Sequence, residues 1–332
     1  MVTIKDVARE SGVSHATVSY VLNGKAKQAR IGDEACERIK AVAARLGYQR
    51  NALARSMVTG RNDVLAFVAY NTGTWEYTGK ILAGVMEEAT RGDFALKVFH
   101  LERSAPDDVI RRLLEQRVAG VIFHSSRHDE FAQIQEAMAR ARIPCATVNL
   151  SNPAAGFGVT SDDFQGTRDA VGHLAGLGHR RIAYLTRKAS KVEYVVNRES
   201  GYLAGTRAAF PGAEPRVEDT GDLLKILSDP PTALVCDSDY AACDALRAAY
   251  ELGLRVPRDL SLVGFADLEI AKNAVVPLTT VAQPFAQMGR EAAAALLDAL
   301  GGRREIPLDK TENWKLAVKL VVRGSTAAPS NP

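Results

Sequence analysis

Thr3-Ile4-Lys5-Asp6-Val7-Ala8-Arg9-Glu10-Ser11-Gly12-Val13-Ser14-His15-Ala16-Thr17-Val18-Ser19-Tyr20-Val21-Leu22-Asn23-Gly24 reads as two short helices divided by a glycine turn. Thr3-x-x-Asp6 has the form of a capping box, in which the threonine hydroxyl accepts a free first-turn N–H. Ser11-Gly12 supplies the left-handed turn that stops the first helix. Ser14 is a good N-cap for the second, whose Val18, Val21 and Leu22 recur at helical spacing as a buried stripe. Asn23-Gly24 ends it. A third helix is expected from Asp33 to Leu46, with acidic residues at its start and Gly47 just past its end. Its apolar stripe is Ala35, Ile39, Val42, Ala43 and Leu46.

The next segment, Asn51 to Gly60, has a cap, a run of helix formers and a terminal glycine. Isolated helices below roughly 12–15 residues are marginal in water, so this one is expected to order only against a partner. Charge points the same way. The chain carries +3 overall, but its first sixty residues hold ten Lys/Arg against five Asp/Glu, leaving the remainder slightly acidic. A small piece with excess positive charge suits a phosphate backbone.

From about Asn62 the pattern changes to apolar runs alternating with amphipathic helices. Strands are expected at Val64–Ala69, Leu96–Phe99, Gly120–Phe123, Ala146–Val148, Arg181–Leu185, Ala233–Cys236 and Leu260–Gly264. Helical patterns such as Gly79 to Arg91 and Tyr240 to Leu252 lie between them. Repeated β-then-α units predict an α/β body of two successive doubly wound parallel sheets. Ligands in such folds lie beyond the carboxyl ends of the strands, here between the two halves. The tail after Val322 is expected to be disordered.

Cys36, Cys145, Cys236 and Cys243 form no C-x-x-C pair and are read as buried, reduced thiols. The N-terminus lacks an apolar signal core, and no stretch reaches the roughly 18 apolar residues of a membrane span. A cytoplasmic protein is expected. There is no G-x-S-x-G elbow, P-loop or H-E-x-x-H. His124 and His128 have metal-like spacing, but a strand ends before one and a helix begins near the other. No enzyme, no metal and no cofactor are therefore expected. A secreted transport-binding protein shares the body pattern but not the basic head.

Several ordered stretches resemble the LacI/GalR family of bacterial regulators. Thr3–Ala8, Gly12-Val13-Ser14 and Thr17-Val18-Ser19 are similar to its head signature, and Leu46-Gly47-Tyr48 with Ala54-Arg55-Ser56 to its hinge. His173-Leu174, Leu177–Ile182, Val263-Gly264-Phe265 and Pro277–Val281 resemble its body landmarks. The resemblance implies a helix-turn-helix DNA-binding domain at 1–50, a hinge at 51–61, and an effector-binding and dimerisation body at 62–326. Periplasmic-binding-protein-like crossovers would fall near 160, 280 and 310, and a disordered tail would occupy 327–332.

The resemblance also implies partners: operator DNA, a small effector, and a second copy in a homodimer, with no membrane. Recognition-helix residues His15, Ala16 and Tyr20 would face bases, Ser14, Thr17, Ser19 and Asn23 would position the head on phosphates, and Thr3, Lys5 and Asn51 would be further DNA contacts. Tyr20 departs from the strong donor that many relatives carry. Ala54 and Arg55 would approach the groove, and Met57 would be the apolar wedge that kinks DNA. The implied effector residues are Trp75, Tyr77, His124, Ser125, Asn149, Asp162, Arg198, Asp239, Phe265 and Asp267. Arg198 is the leading ligand contact, with half of a hinge-spanning salt bridge as the alternative, and Asp162 and Asp239 read equally as helix caps. Ala266 stands where the family usually has a ligand-gripping aspartate. The expected function is a repressor of a carbohydrate-utilisation operon released by a sugar-like inducer; the alternative is a regulator that needs a nucleobase or other metabolite as co-repressor.

Overall fold

The computed structural model describes residues 2–22, 24, 26–48, 62–70, 75–101, 105–124, 128–151, 156–187, 192–305 and 311–330. Two compact units result, Met1–Asn62 and Asp63–Pro332. In the first, α1 (Ile4–Ser11), α2 (His15–Leu22) and α3 (Asp33–Arg45) enclose a core of Val7, Ala8, Val18, Val21, Cys36, Ile39, Val42 and Ala43. The helix ends follow the sequence's own signals. Asp6 Oδ2 accepts from the Thr3 N–H at 2.9 Å and from its hydroxyl at 2.7 Å. Gly12 stops α1 in the left-handed region at φ 68°, a conformation that costs glycine nothing. Ser14 Oγ accepts the Thr17 N–H at 3.1 Å, capping α2.

The second unit contains two six-stranded sheets. The first is built from β1 (Val64–Ala69), β2 (Ala95–His100), β3 (Gly120–His124), β4 (Cys145–Val148), β5 (Gly156–Ser161) and β11 (Thr311–Leu316), in the order β11-β5-β4-β3-β1-β2. The second holds β6 (Ile182–Thr186), β7 (Arg216–Asp219), β8 (Ala233–Cys236), β9 (Ser261–Ala266), β10 (Thr279–Ala282) and β12 (Lys319–Val321), in the order β12-β10-β9-β8-β6-β7. All pairs are parallel except β10 with β12. The chain therefore crosses between sheets after β5, after β10 and between β11 and β12.

Helices cover both sheets. Those of the first are α4 (Glu76–Arg91), α5 (Pro106–Glu115) and α6 (His128–Arg140), joined after the second crossover by α12 (Phe285–Leu300). Those of the second are α7 (Asp163–Gly176), α8 (Glu193–Ala209), α9 (Leu223–Ser228), α10 (Asp239–Glu251) and the single turn α11 (Glu269–Lys272). Helices α4 and α12 lie backbone to backbone. A methyl group on Gly84 would collide with the Ala286 carbonyl, and one on Gly289 with the Ile81 carbonyl. Only glycine permits that approach. Cys36, Cys145 and Cys236 are buried as expected, whereas Cys243 is half-exposed.

The expectation of a disordered tail is wrong. Ser325 is fully buried; its hydroxyl accepts the Thr279 N–H at 2.8 Å and donates to the Leu262 carbonyl at 2.6 Å. Its carbonyl accepts the Leu262 N–H. Farther along, Ala327 N–H donates to Ser261 Oγ and Ser330 Oγ to the Arg258 carbonyl. The buried His179 holds this end in place. Its Nε2–H donates to the Ala327 carbonyl at 2.8 Å, which leaves Nδ1 to accept from the Thr232 hydroxyl at 3.0 Å. The small, polar composition that reads as disorder instead lets the backbone thread against two strands. Replacing Ser325 by alanine strips a buried N–H of its acceptor, and should cost about 1–3 kcal/mol of body stability in urea unfolding.

Candidate functional site

A cleft of about 480 Å³ lies between the two sheets of the body. Nine of the residues that line it stand at the carboxyl end of a strand. Tyr70 follows β1, His124 ends β3, and Asn149 follows β4. From the second sheet, Arg187 follows β6, Thr220 follows β7, Asp237 follows β8, Phe265 and Ala266 end β9, and Gln283 follows β10. Parallel strands leave their carboxyl ends and the following helix N-termini pointing into this space, so the topology makes the cleft.

Aromatic rings form one continuous wall. Trp75 stacks on Tyr77 at 5.8 Å and meets the edge of Tyr240, from the other half, at 5.2 Å. Tyr77 in turn lies edge-on to His124 and tilted against Phe285. Opposite stands Arg198 on α8, fully buried and stacked over Phe265 at 3.8 Å. Its Nε donates to Asp163 at 2.8 Å, Nη1 to the Asp237 carbonyl at 2.6 Å and Nη2 to Gln283 Oε1 at 3.0 Å. Gln283 Nε2 donates to Ser161 Oγ, which donates to Asp163 Oδ2. Arg198 thus forms a salt bridge to a crossover segment and also lines the cleft.

Trp75, Tyr77, His124, Asn149, Arg198 and Phe265 of the expected effector set line the cleft; Ser125 lies outside the described residues. Three expected residues do not line it. Asp162 caps α7, accepting the Gln165 N–H at 3.2 Å, while its neighbour Asp163 holds Arg198. Asp239 is buried but spent on structure, accepting from Thr280 Oγ1 at 2.5 Å and from the Leu268 N–H at 2.7 Å. It is not a cap either; Ser238 caps α10. Asp267 turns away to pair with Arg323 of the tail at 2.5 Å. Conversely, Asp237, Gln283, Tyr194 and Tyr240 escaped the sequence reading. The strand-end rule itself points to Asp237 and Gln283, each the first residue after its strand.

On the head, Ser14, His15, Ala16 and Tyr20 are exposed along one side of α2, with Tyr20 at 46% of its free surface. Thr3 and Lys5 are exposed on α1. Thr17 and Ser19 are half-buried, and Thr17 shares a 2.9 Å hydrogen bond with Ser14. Asn23, Asn51, Ala54, Arg55 and Met57 lie outside the described residues.

This architecture of basic three-helix head and cleft-bearing body matches known proteins over its whole length. Residues 3–51 match the model of bacterial regulatory proteins, lacI family, and residues 171–326 that of the periplasmic binding protein-like domain. The HTH-type transcriptional regulator DegA of Bacillus subtilis (strain 168) is 30% identical, with 98% of each chain covered. The lactose operon repressor of Escherichia coli (strain K12) is also 30% identical, covering 99% of this chain and 92% of that one. Among solved structures, a lac repressor dimer bound to operator and the anti-inducer ONPF superposes with TM-score 0.78 at 28% identity, over 98% of this chain and 99% of that one. The chain belongs to the lacI family.

As a lacI-family protein it is a DNA-binding transcriptional regulator and not an enzyme. None of the helices among the described residues is long and apolar enough to cross a membrane. Electrostatics inside the cleft follow from burial. Burial opposes the charge on Arg198, but Asp163 beside it holds the guanidinium charged. Burial raises the Asp163 carboxyl, while Arg198 and the Ser161 hydroxyl pull it back. Removing one partner of a buried pair strands the other, so Arg198→Leu should cost about 3–5 kcal/mol in urea unfolding.

Burial also lowers His124 from the usual 6.5 to about 4, against the opposing pull of its bond to the Val148 carbonyl. The imidazole is neutral in the fold but protonates in the unfolded chain below pH 6.5. Its stabilising contribution is therefore complete above that pH and drains away as pH falls toward 4. Between pH 7.5 and 5 the protein should lose about 2 kcal/mol more than a His124→Asn variant does, read from urea midpoints at the two pH values.

Proposed function

We propose that this regulator represses a carbohydrate-utilisation operon as a homodimer and is released by a small, sugar-like inducer bound in the body cleft. The observation that carries this reading is the cleft itself: aromatic faces on one side, and on the other a buried Arg198 tied to the segments where the chain crosses between subdomains. Aromatic faces stack on the C–H faces of a sugar ring while fixed polar groups hydrogen-bond its hydroxyls. A ligand bridging the two halves biases their relative angle. That is a population shift between states that hold DNA and states that do not. The lac repressor relative, bound to an anti-inducer in its solved dimer, supports the same logic.

On the head, His15, Ala16 and Tyr20 are proposed to read bases and Thr3, Lys5, Ser14, Thr17 and Ser19 to contact the backbone, with the exposed side of α2 as support. Sequence alone supports Asn23, Asn51, Ala54 and Arg55 as contacts and Met57 as a minor-groove wedge. Dimerisation through the body is supported by apolar side chains left in water. Val275 is 99% exposed and Ile270 41%, and the half-exposed Cys243 contacts the Ile270 carbonyl.

The test is fluorescence anisotropy of the full-length protein on an operator selected from random duplexes, with and without a panel of mono- and disaccharides. An inducer should weaken operator binding at least about tenfold, a coupling of roughly 1.4 kcal/mol. Tighter binding on ligand addition would replace the inducer reading with a co-repressor.

A further inference from the structure

The turn that follows β9 meets helix α4 with its backbone and not with its side chains. Both carboxylates on it are engaged within the second subdomain. Asp267 Oδ1 accepts from Arg323 of the tail, and the Glu269 carboxylate accepts from Lys272 at 2.7 Å and from Asn273 at 3.4 Å. Between them, Asp239 holds the Leu268 N–H. The Asp267 carbonyl and the Glu269 N–H face the first subdomain, where α4 offers a matched pair. Lys80 Nζ donates to that carbonyl at 3.4 Å, and Glu76 Oε2 accepts that N–H at 2.9 Å. Glu76 and Lys80 are themselves an i, i+4 ion pair at 2.6 Å, so each restrains the other's side chain.

The α8 side is tied differently. Glu193, in the first turn of α8, accepts the Ser151 N–H at 2.8 Å and the Ser151 hydroxyl at 2.5 Å. Ser151 belongs to the first subdomain, just beyond β4. Arg198, on the same helix, is bound to the crossover segments. One helix thus carries two tethers, and the second is buried. The Glu76–Lys80 contact is partly exposed, so water can take over both of its hydrogen bonds. Its four residues, Glu76, Lys80, Asp267 and Glu269, stand outside the cleft lining. The contact therefore acts on the angle between the halves and not on a ligand.

Resting on the effector reading above for its link to DNA, we propose that Glu76 and Lys80 form a latch that grips the backbone of the β9 turn and holds the body shut along that edge. The body opens there while α8 stays tethered. The latch sets the resting angle of the ligand-free body, and with it the population that an effector has to shift.

The experiment uses ligand-free, full-length protein carrying Trp314→Phe, which leaves Trp75 as the sole tryptophan of the chain. Trp75 precedes Glu76 and meets the edge of Tyr240, from the other half, at 5.2 Å, so its access to water reports opening at this edge. The decisive variant exchanges the charges, Glu76→Lys with Lys80→Glu. Net charge and the ion pair on α4 persist, but a donor now faces the N–H and an acceptor faces the carbonyl. Acrylamide quenching of Trp75 should rise at least twofold, and hydrogen exchange at the Glu269 amide should quicken at least tenfold. Glu76→Ala, which removes the acceptor without adding repulsion, should move both readouts the same way by a smaller factor. Glu76→Gln, whose amide oxygen still accepts, should stay within twofold of the parent. Operator affinity, read by anisotropy, should shift at least fivefold in the exchanged variant. Unchanged quenching and exchange in the exchanged and alanine variants, or a glutamine variant as open as the alanine one, overturns the latch. An opened body with unchanged operator affinity supports the latch and overturns the reading in which the body's angle governs DNA binding.

Discussion

A full positive charge buried where the chain passes between subdomains is the constraint on which the body depends. Desolvating an ion costs several kcal/mol even after relaxation, and Arg198 is compensated only because its bonds form a closed, directional ring. Arg198 donates to Asp163 and Gln283, Gln283 to Ser161, and Ser161 back to Asp163. Ser161 and Asp163 belong to the first crossover and Gln283 to the second. One side chain of α8 therefore ties two of the three connecting segments to the second sheet. No member can rotate alone without leaving another unpaired. That rigidity makes the ring a pivot, and its position at the cleft makes the pivot accessible to a ligand.

The parts of this arrangement that could be read in the sequence are those that a local pattern encodes. Strands β1, β3, β8 and β9 are buried along their whole length, so they stand out as continuous apolar runs. Strand β5, Gly-Phe-Gly-Val-Thr-Ser, is equally buried but broken by glycines, and the polar edge strands β7 and β11 look like loops. All three were missed. Trp75, Tyr77, His124 and Arg198 were found because the family resemblance fixes their positions. Asp162 and Asp163 could not be told apart: one residue along a helix start separates an exposed cap from a buried counter-ion. In the run Asp237-Ser238-Asp239, side-chain direction alone decides which carboxylate faces the cleft, and no periodicity reports it. The tail failed for a different reason. Its composition predicts no core of its own, yet Ser325 and Ala327 are held by strands more than 60 residues away in sequence.

These errors converge on one turn. Ala266 and Asp267, immediately after β9, have φ of 125° and 58°, in a region that non-glycine residues adopt only when their surroundings hold them there. Asp239 holds the Leu268 N–H, and Arg323 of the tail grips Asp267. Across the cleft, Glu76 accepts the Glu269 N–H at 2.9 Å and Lys80 donates to the Asp267 carbonyl at 3.4 Å. Two of the three misassigned aspartates, Asp239 and Asp267, and the tail expected to be loose are thus the scaffold of the cleft's rim.

The rim and the pivot differ in how readily they give way. Glu76 and Lys80 are about a third exposed, so water can replace their contacts at little net cost. The Arg198 ring has no such substitute, because its members are buried. A change in the angle between subdomains should therefore open or close at the Glu76–Glu269 side while turning about Arg198. With alanine at 266, the turn brings no carboxylate to the cleft, and the charge that Arg198 needs is already supplied by Asp163. A ligand that sets the angle between subdomains would therefore do so by joining the two halves and not by balancing the charge of Arg198.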